Sequence, residues 1–186
     1  MNEKLDRRKK YTRMVLKDSL ITLLKTKQIS SITVKELCDL ADINRSTFYK
    51  HYTDPFDLLH KMEEEIIEDM NAYLNQYNFA EESESLQMTE RLLEYIVTKR
   101  DICHTLLNEN ADTSFERRVM EVSRKFLIQN LLELSQYETS RREYVSIFII
   151  SGGIHIIKQW LANDMDRTPK EIAGIISHIT KNGLKG

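Results

Sequence analysis

The sequence is poor in residues that bend or cross-link a chain. Its 186 residues include five glycines, two prolines and two cysteines. So few glycines and prolines leave little material for many turns, and helix is the expected default. Cys38 and Cys103 stand far apart in sequence, so they give neither a disulfide framework nor a paired metal spacing.

Long apolar runs and a secretory leader are also missing. The N-terminus is polar and charged, and no run of eighteen or more apolar residues suggests a membrane span, so we expect a cytoplasmic protein. A glycine-rich phosphate loop, a nucleophile elbow and an HExxH pattern are absent as well. We therefore expect no enzyme, no catalytic residues, no metal and no cofactor.

The charge that is present is unevenly distributed. Residues 1–52 carry twelve Lys and Arg against six Asp and Glu, a net +6, whereas residues 53–186 carry a net −8. Such a field would draw DNA to one end of the molecule. The densest basic cluster, at 7–10, precedes a helical pattern from about Tyr11 to Thr26. It could follow a phosphate backbone, enter a minor groove or remain a solvated terminus.

Residues 33–59 contain two capping patterns, each of which predicts the start of a helix. Thr33 and Glu36 form a capping box, in which the hydroxyl and the carboxylate each accept a backbone N–H of the other residue. Asp54, Pro55 and Asp57 predict a second start, with an N-cap acid, a proline where no N–H is needed and an acid in the positive first turn.

A third, shorter helix is predicted between these starts. Asp42 and Asn44 favour left-handed turns and caps over helix interiors, so they should end the first helix. Asn44 can then cap a helix from about Arg45 to Tyr52. Helix, tight turn and helix is the outline of a helix-turn-helix.

The second helix of this motif has two chemically different faces. Phe48 and Tyr52 lie four residues apart on the inner face, with Leu37, Leu40, Ala41 and Ile43 available to cover them. The outer face holds Arg45, Ser46, Tyr49 and Lys50, with Thr47 and His51 behind them. These side chains can contact phosphates, guanine edges and thymine methyl groups. The alternative is an ordinary charged surface helix.

The same stretch resembles the DNA-binding domain of TetR-type bacterial transcriptional regulators. Leu37-Cys38 takes the place of the family's apolar-plus-alanine pair, Ile43-Asn44 that of its Val-Ser, and TFYKHY at 47–52 that of its Thr-Leu-Tyr-x-x-Phe. The resemblance implies an all-α fold with a three-helix DNA-binding domain at 1–54. A long helix would join it to a helical ligand-binding and dimerisation domain at 55–186.

Two departures from the family pattern affect the expected DNA contacts. Asp42 stands where the family usually has glycine, and Pro55 stands where many members have a phosphate-contacting lysine. Lys50, Lys35 or an N-terminal basic residue would have to replace that contact. The expected DNA-binding residues are Thr33, Lys35, Arg45, Ser46, Thr47, Tyr49, Lys50 and His51.

The rest of the chain reads as further helices. The first, from Pro55 to about Tyr77, is the expected connection between the domains, and the polar stretch 79–85 should be a loop. Thr113 and Glu116 form a second capping box, and Thr168 and Glu171 a third. The predicted helices cover 86–98, 101–108, 114–134, 140–163 and 168–181.

The last two of these helices carry more apolar surface than one core needs. A helix that is apolar on more than one side must be buried on more than one side. Gly152-Gly153 suggests a close helix approach or a kink. The last two helices resemble the family's dimerisation helices. The alternative is a monomer that buries the apolar stripes of both helices in its own core. The expected interface residues are Phe148, Ile149, Ile157, Trp160, Ile172, Ile175, Ile176 and Ile179.

The resemblance implies a ligand-responsive homodimeric repressor that binds a near-palindromic operator. An unknown small-molecule effector would bind in the second domain. The alternative is a helical protein-interaction regulator that does not bind DNA specifically. For any one of the candidate pocket residues, a place in the plain core is the favoured alternative. These residues are Met62, Ile66, Met70, Tyr73, Tyr95, Cys103, Leu107 and Phe126.

Overall fold

Over the residues that it describes, 2–76, 82–107, 114–127 and 139–184, the computed structural model has helices joined by turns and no strand, which confirms the predicted all-α class. Side chains are described for 7–76, 86–107, 114–127 and 141–180. A 3₁₀ turn at Ile29–Ser31 follows the first helix. The helices are α1 Asn2–Leu24, α2 Val34–Ala41, α3 Arg45–Phe48, α4 Pro55–Leu74, α5 Glu82–Thr98, α6 Arg100–Leu106, α7 Ser114–Leu127, α8 Thr139–Ala162 and α9 Pro169–Leu184.

The chain divides into two compact units. The first comprises Met1–Ile66 and Thr105–Thr113, and the second Ile67–His104 and Ser114–Gly186. Both α4 and α6 therefore contribute residues to each unit. The division falls within α4, twelve residues after the boundary expected at its start.

The first unit is built on the packing of α1 against α2. Leu16, Leu20 and Leu24 are buried at four-residue intervals, so one stripe of α1 faces the core. Leu37 of α2 and Phe48 of α3 are completely buried in the same unit. The three helices thus pack around leucines and Phe48, and Leu37 and Phe48 lie on the inner face that the sequence pattern predicts.

In the second unit α9 packs against α5 and α8, and α7 packs against α8. Leu93, Trp160, Ile172 and Ala173 form one buried cluster there. The Trp160 indole N–H donates to the carbonyl oxygen of Arg167 at 2.9 Å, which satisfies its only polar atom. This bond joins the end of α8 to the segment that leads into α9.

Three predicted boundaries were wrong. Helix α1 begins at Asn2 rather than near Tyr11, so the basic cluster is helical, and α5 begins at Glu82 inside the expected loop. The acidic composition of 82–85 suits the positive first turn of a helix, which explains the second error. The regular part of α3 ends at Phe48 instead of Tyr52. Residues 128–134 and Thr113, which belong to predicted elements, lie outside the described residues.

Within the described ranges one segment, Arg141–Ala162 in α8, is long and apolar enough to cross a membrane by length and composition alone, contrary to the expectation from the sequence. Core helices of soluble proteins pass the same test. Only 28% of its most apolar window is buried in one chain, so much of that surface is uncovered.

Candidate nucleic-acid interface

The start of α2 is fixed by the predicted capping box. The Glu36 backbone N–H donates to Thr33 Oγ1 at 3.2 Å, while the Thr33 N–H and hydroxyl donate to Glu36 Oε2 at 3.0 and 2.8 Å. Lys27 also donates to the Glu36 carboxylate. The bonds from Lys27 and Thr33 lower the pKa of Glu36 from 4.5 to about 2. The Thr33 hydroxyl is therefore already engaged, although the residue is exposed as expected of a DNA contact.

A left-handed residue makes the turn between α2 and α3. Asp42 has φ 53° and ψ 46°, the conformation for which the family's usual glycine is suited. The Ile43 N–H reaches back to the carbonyl oxygen of Cys38 at 3.0 Å and closes the turn. Asn44 occupies the N-cap of α3, but its side chain makes no capping bond; its carbonyl accepts from the Thr47 N–H at 2.8 Å instead.

The inner face of the motif is an aromatic and aliphatic core. Phe48 is completely buried, and its ring centroid lies 5.8 Å from that of Tyr52, which is also buried. Leu37 and Cys38 are buried as well, but the expected cover from Leu40 was wrong, because this residue is 50% exposed. Leu40 lies about 110° of helix rotation from the centre of the face that Leu37 and Cys38 share.

The outer face presents the predicted recognition chemistry. Tyr49 is 59% exposed, and its ring stands edge-on to Phe48 with centroids 5.6 Å apart. The chain continues past Phe48 in tight turns, with the Lys50 N–H donating to the Thr47 carbonyl at 3.2 Å. Of the expected DNA contacts in and after these helices, Lys35, Arg45, Ser46, Tyr49 and Lys50 are exposed, and Thr47 and His51 are half-buried.

The cations of this face are available to an anion. Lys35, Arg45 and Lys50 form no ion pair with the side chains that the structure describes. Arg7, Arg8, Lys9 and Lys10 add four exposed cations on α1. A DNA backbone could therefore contact Lys35, Arg45 and Lys50 without first displacing a carboxylate among the described side chains.

The start of α4 is fixed by two aspartates. The Asp57 N–H donates to Asp54 Oδ1 at 2.8 Å, and the Thr53 N–H donates to Asp57 Oδ2 at 2.8 Å, so each carboxylate accepts one backbone N–H at this end of the helix. The bond from Thr53 is the largest cause that lowers the pKa of Asp57. Pro55 is buried at the first helical position, which confirms the predicted start.

The candidate pocket residues divide between the two units. Met62, Ile66 and Leu107 belong to the first unit. In the second unit Met70 and Phe126 share an apolar cluster, and the rings of Tyr73 and Tyr95 contact each other at 5.3 Å between centroids. The five residues in the second unit are Met70, Tyr73, Tyr95, Cys103 and Phe126.

One residue of this second group, Tyr95, has a buried hydroxyl that no sequence pattern predicted. The Tyr95 hydroxyl donates to Asp69 Oδ2 at 2.6 Å. Burial and that bond raise the pKa of Tyr95, and burial raises the pKa of Cys103 to about 12, so both groups stay protonated. Asp69 lies 26 residues from Tyr95, and no local sequence pattern links them.

The candidate dimer residues differ in what they can offer a partner. Phe148 is 74% exposed and Ile179 is 49% exposed, whereas Trp160 is 2% exposed and Ile172 is buried beside it. Trp160 and Ile172 therefore serve the core of one chain rather than a surface. A Cβ added at Gly152 or Gly153 would meet nothing within 4 Å, so the glycine pair marks no close approach to another part of the chain that the structure describes. Of the others, Ile175 is exposed, and Ile149, Ile157 and Ile176 are partly buried.

These features define an all-helical protein with an N-terminal helix-turn-helix. Residues 83–182 match the family TetR_C_8, described as the transcriptional regulator C-terminal region, which covers more than half of the chain. The chain belongs to the TetR family of transcriptional regulators.

The individual proteins that this chain resembles are distant relatives. An uncharacterised HTH-type transcriptional regulator of Bacillus subtilis, YxbF, is 36% identical over 64 residues, which cover 34% of this chain and 16% of that protein. A TetR regulator from Streptococcus agalactiae 2603V is 22% identical with a TM-score of 0.70, and the match covers 97% and 99% of the two chains. NalD of Pseudomonas aeruginosa, the secondary repressor of the MexAB-OprM multidrug efflux pump, is 14% identical with a TM-score of 0.67 over 96% and 98%. The two structures share the fold.

Proposed function

We propose that this regulator binds a near-palindromic DNA operator as a homodimer and that a small-molecule effector releases it. The observation that carries the proposal is the outer face of α3 and the turn after it. That face combines exposed Arg45, Tyr49 and Lys50 with a buried aromatic anchor at Phe48. Two such faces related by a two-fold axis would read half-sites roughly 34 Å, or a multiple of that, apart.

Dimerisation is supported by the uncovered surface of α8 and α9. Phe148, Ile175 and Ile179 are exposed in the isolated chain, and α8 carries an exposed glycine at Gly152. Each mid-helix glycine costs about 1 kcal/mol relative to alanine, which a close contact between two copies would offset. We propose Phe148, Ile149, Ile157, Ile175, Ile176 and Ile179 as the interface, with Trp160 and Ile172 as its supporting core.

The proposed effector binds in the second unit. A ligand bound among Met70, Tyr73, Tyr95 and Phe126 would shift DNA affinity only if it bound the DNA-competent arrangement of the dimer less tightly. Repression is proposed because NalD carries that function by name. Cytoplasmic location follows from the proposed activity on DNA.

Selection of bound duplexes from a random pool tests the DNA-binding role, and Arg45→Ala and Lys50→Ala test the docking. Each substitution should weaken binding to the selected duplex and lower the slope of log affinity against log salt by about 1 per lost phosphate contact. Lys125→Ala is the matched control, since it removes an equal charge from an exposed position in the second unit. Failure of the folded protein to enrich any sequence at low salt would favour the protein-interaction regulator.

A further inference from the structure

The side of α8 that faces away from the core of its own chain carries almost no charge. Its outward residues recur every three or four positions and so share one face of the helix. They are exposed, and we call them the α8 stripe: Tyr144, Phe148, Gly152, His155 and Gln159. From Tyr144 to Ala162, no exposed residue of this helix is an acid, a lysine or an arginine. His155 is therefore the one exposed residue of this span that can gain a charge near neutral pH.

The α8 stripe has the character of a covered surface rather than of a solvated one. A helix face that stays in water is normally polar and charged. Tyr144 is instead 76% exposed and Phe148 is 74% exposed, and only 28% of the most apolar window of α8 is buried in one chain. A Cβ added at Gly152 would meet nothing within 4 Å in the described part of the chain, which leaves room for another helix to approach. These features fit the interface with a second copy of the chain that is proposed above.

His155 has no charged partner among the described side chains of its own chain. Its imidazole forms no hydrogen bond or ion pair with them. The charged side chains of α7 that reach α8 are already paired: Glu116 with Lys158 at 2.9 Å, and Arg124 with Glu143 at 3.0 Å. Helix α9 also packs against α8, and the exposed charged or titratable residues within its positions 169–180 are Lys170, Glu171 and His178.

We infer that His155 makes the dimer sensitive to acid, because it enters the interface as a neutral imidazole and a proton gained on acidification separates the protomers. The inference rests on the proposed dimer and adds His155 to its expected interface. If two copies of α8 cross at Gly152, their axes can approach to roughly 8 Å. Each His155 then lies one turn, roughly 4.5 Å along the axis, from the crossing. Both imidazoles would face the apolar stripe of the other copy rather than water.

The direction of the pH dependence follows from the cost of burying a charge. An imidazolium that leaves water without an opposite charge is strongly disfavoured, and the α8 stripe contains no acid that could pair with it. Histidine ordinarily gains its charge between pH 5 and 8. Each dimer that dissociates in acid therefore takes up two protons, and its dissociation constant rises as pH falls, by at most about 100-fold per pH unit. Glu171 keeps its charge in this range, because bonds from the Thr168 backbone and hydroxyl lower its pKa.

The test is sedimentation velocity of the full chain, diluted into the nanomolar range at pH 7.5, 6.5 and 5.5 and constant ionic strength. The dissociation constant of wild type should rise about tenfold or more from pH 7.5 to pH 5.5. His155→Gln, which keeps a polar side chain of similar size but does not titrate, should change far less. His104→Gln is the matched control, because His104 is an exposed histidine of the second unit that belongs to α6 rather than to α8 or α9. It should retain the wild-type pH dependence.

Two further measurements make the result decisive. Circular dichroism should show the same helix content at pH 7.5 and pH 5.5, so that dissociation is not a consequence of unfolding. His178→Gln should keep most of the wild-type pH dependence, and its loss there instead of in His155→Gln would overturn the inference. A dimer whose dissociation constant does not change with pH, or changes equally in wild type and His155→Gln, would also overturn it and leave the proposed dimer intact. A wild-type chain that is monomeric at every pH would instead reject the proposed dimer.

Discussion

At the level of single residues, Asp42 is where the backbone is most constrained in the helix-turn-helix. It adopts a left-handed conformation that costs a typical non-glycine residue about 1–2 kcal/mol. The sequence contains no glycine before Gly152, so the family's usual solution is not used here. Aspartate is among the few residues for which this conformation is accessible, and its presence made the turn predictable.

Asp42→Gly should therefore stabilise the folded protein by about 0.5 kcal/mol, since relief of strain exceeds the added entropy of the unfolded chain. Asp42→Val should destabilise it by more than about 1 kcal/mol, because a β-branched side chain fits this conformation poorly. Urea unfolding at fixed protein concentration measures both. Asp39→Gly is the matched control: Asp39 is exposed inside α2, where glycine should destabilise by about 1 kcal/mol. Equal effects at positions 39 and 42 would contradict the role assigned to the turn.

Single residues also show why the recognition face was easier to predict than the residues of other helices that contact it. Arg45, Tyr49 and Lys50 could be assigned outward because Phe48 and Tyr52 define the inner face by spacing alone. Lys61 could not be assigned, since its approach to His51 depends on how α4 packs after the turn. Tertiary contacts of this kind leave no pattern in a single sequence.

At the level of elements, local capping chemistry determines where several helices begin. The boxes at Thr33 and Thr168 both form as predicted, with the Glu171 N–H donating to the Thr168 hydroxyl at 3.3 Å. Helix ends were harder to predict. The regular part of α3 ends at Phe48, because the Lys50 and His51 N–H groups donate to the carbonyls three residues back rather than four. The start of α1 was missed because a run of charged residues fits a solvated helix and an unstructured terminus equally well.

The capping box of α2 predicts a specific acid sensitivity. The pKa of Glu36 is about 2 in the folded protein against an ordinary 4.5, so the charged carboxylate stabilises the folded state. This contribution is complete above about pH 4.5 and is lost as pH falls toward about 2. The stability difference between wild type and Glu36→Gln should therefore shrink between pH 6 and pH 3.

Thermal unfolding at the two pH values checks this prediction. Thr33→Ala, which removes the other half of the box, should cost about 1 kcal/mol near neutral pH. Asp39→Asn removes a carboxylate from the same helix outside the box and controls for net charge. Parallel pH profiles for wild type and Glu36→Gln would show that the box does not carry the effect.

At the level of the whole molecule, the apolar surface of α8 and α9 is larger than one chain covers. Their inner residues, including Trp160 and Ile172, complete the core of the second unit, while Phe148 and Ile179 remain exposed. The sequence could show that these helices are apolar on several sides, but not which residues each side would contain. That division follows from the packing of α9 against α5.

If the exposed side is a dimer interface, one charge placed there should separate the protomers. Phe148→Asp removes two aromatic rings, one from each protomer, that the two-fold interface would bury, and it leaves two unpaired charges there. The dissociation constant of the dimer should therefore rise on the order of 100-fold or more. Ile179→Asp should act in the same direction, and sedimentation velocity over a dilution series measures both. Val97→Asp, at an exposed position on α5, is the control that should leave the assembly unchanged.

The same variants connect assembly to DNA recognition. A monomer presents one recognition face, so Phe148→Asp should lose the preference for a palindrome and bind a duplex carrying one half-site about as well as one carrying two. Wild type should prefer the two half-site duplex strongly, because the second contact is made at a high effective concentration. A monomeric Phe148→Asp that still preferred the palindrome would show that the pairing needed for recognition forms through another surface.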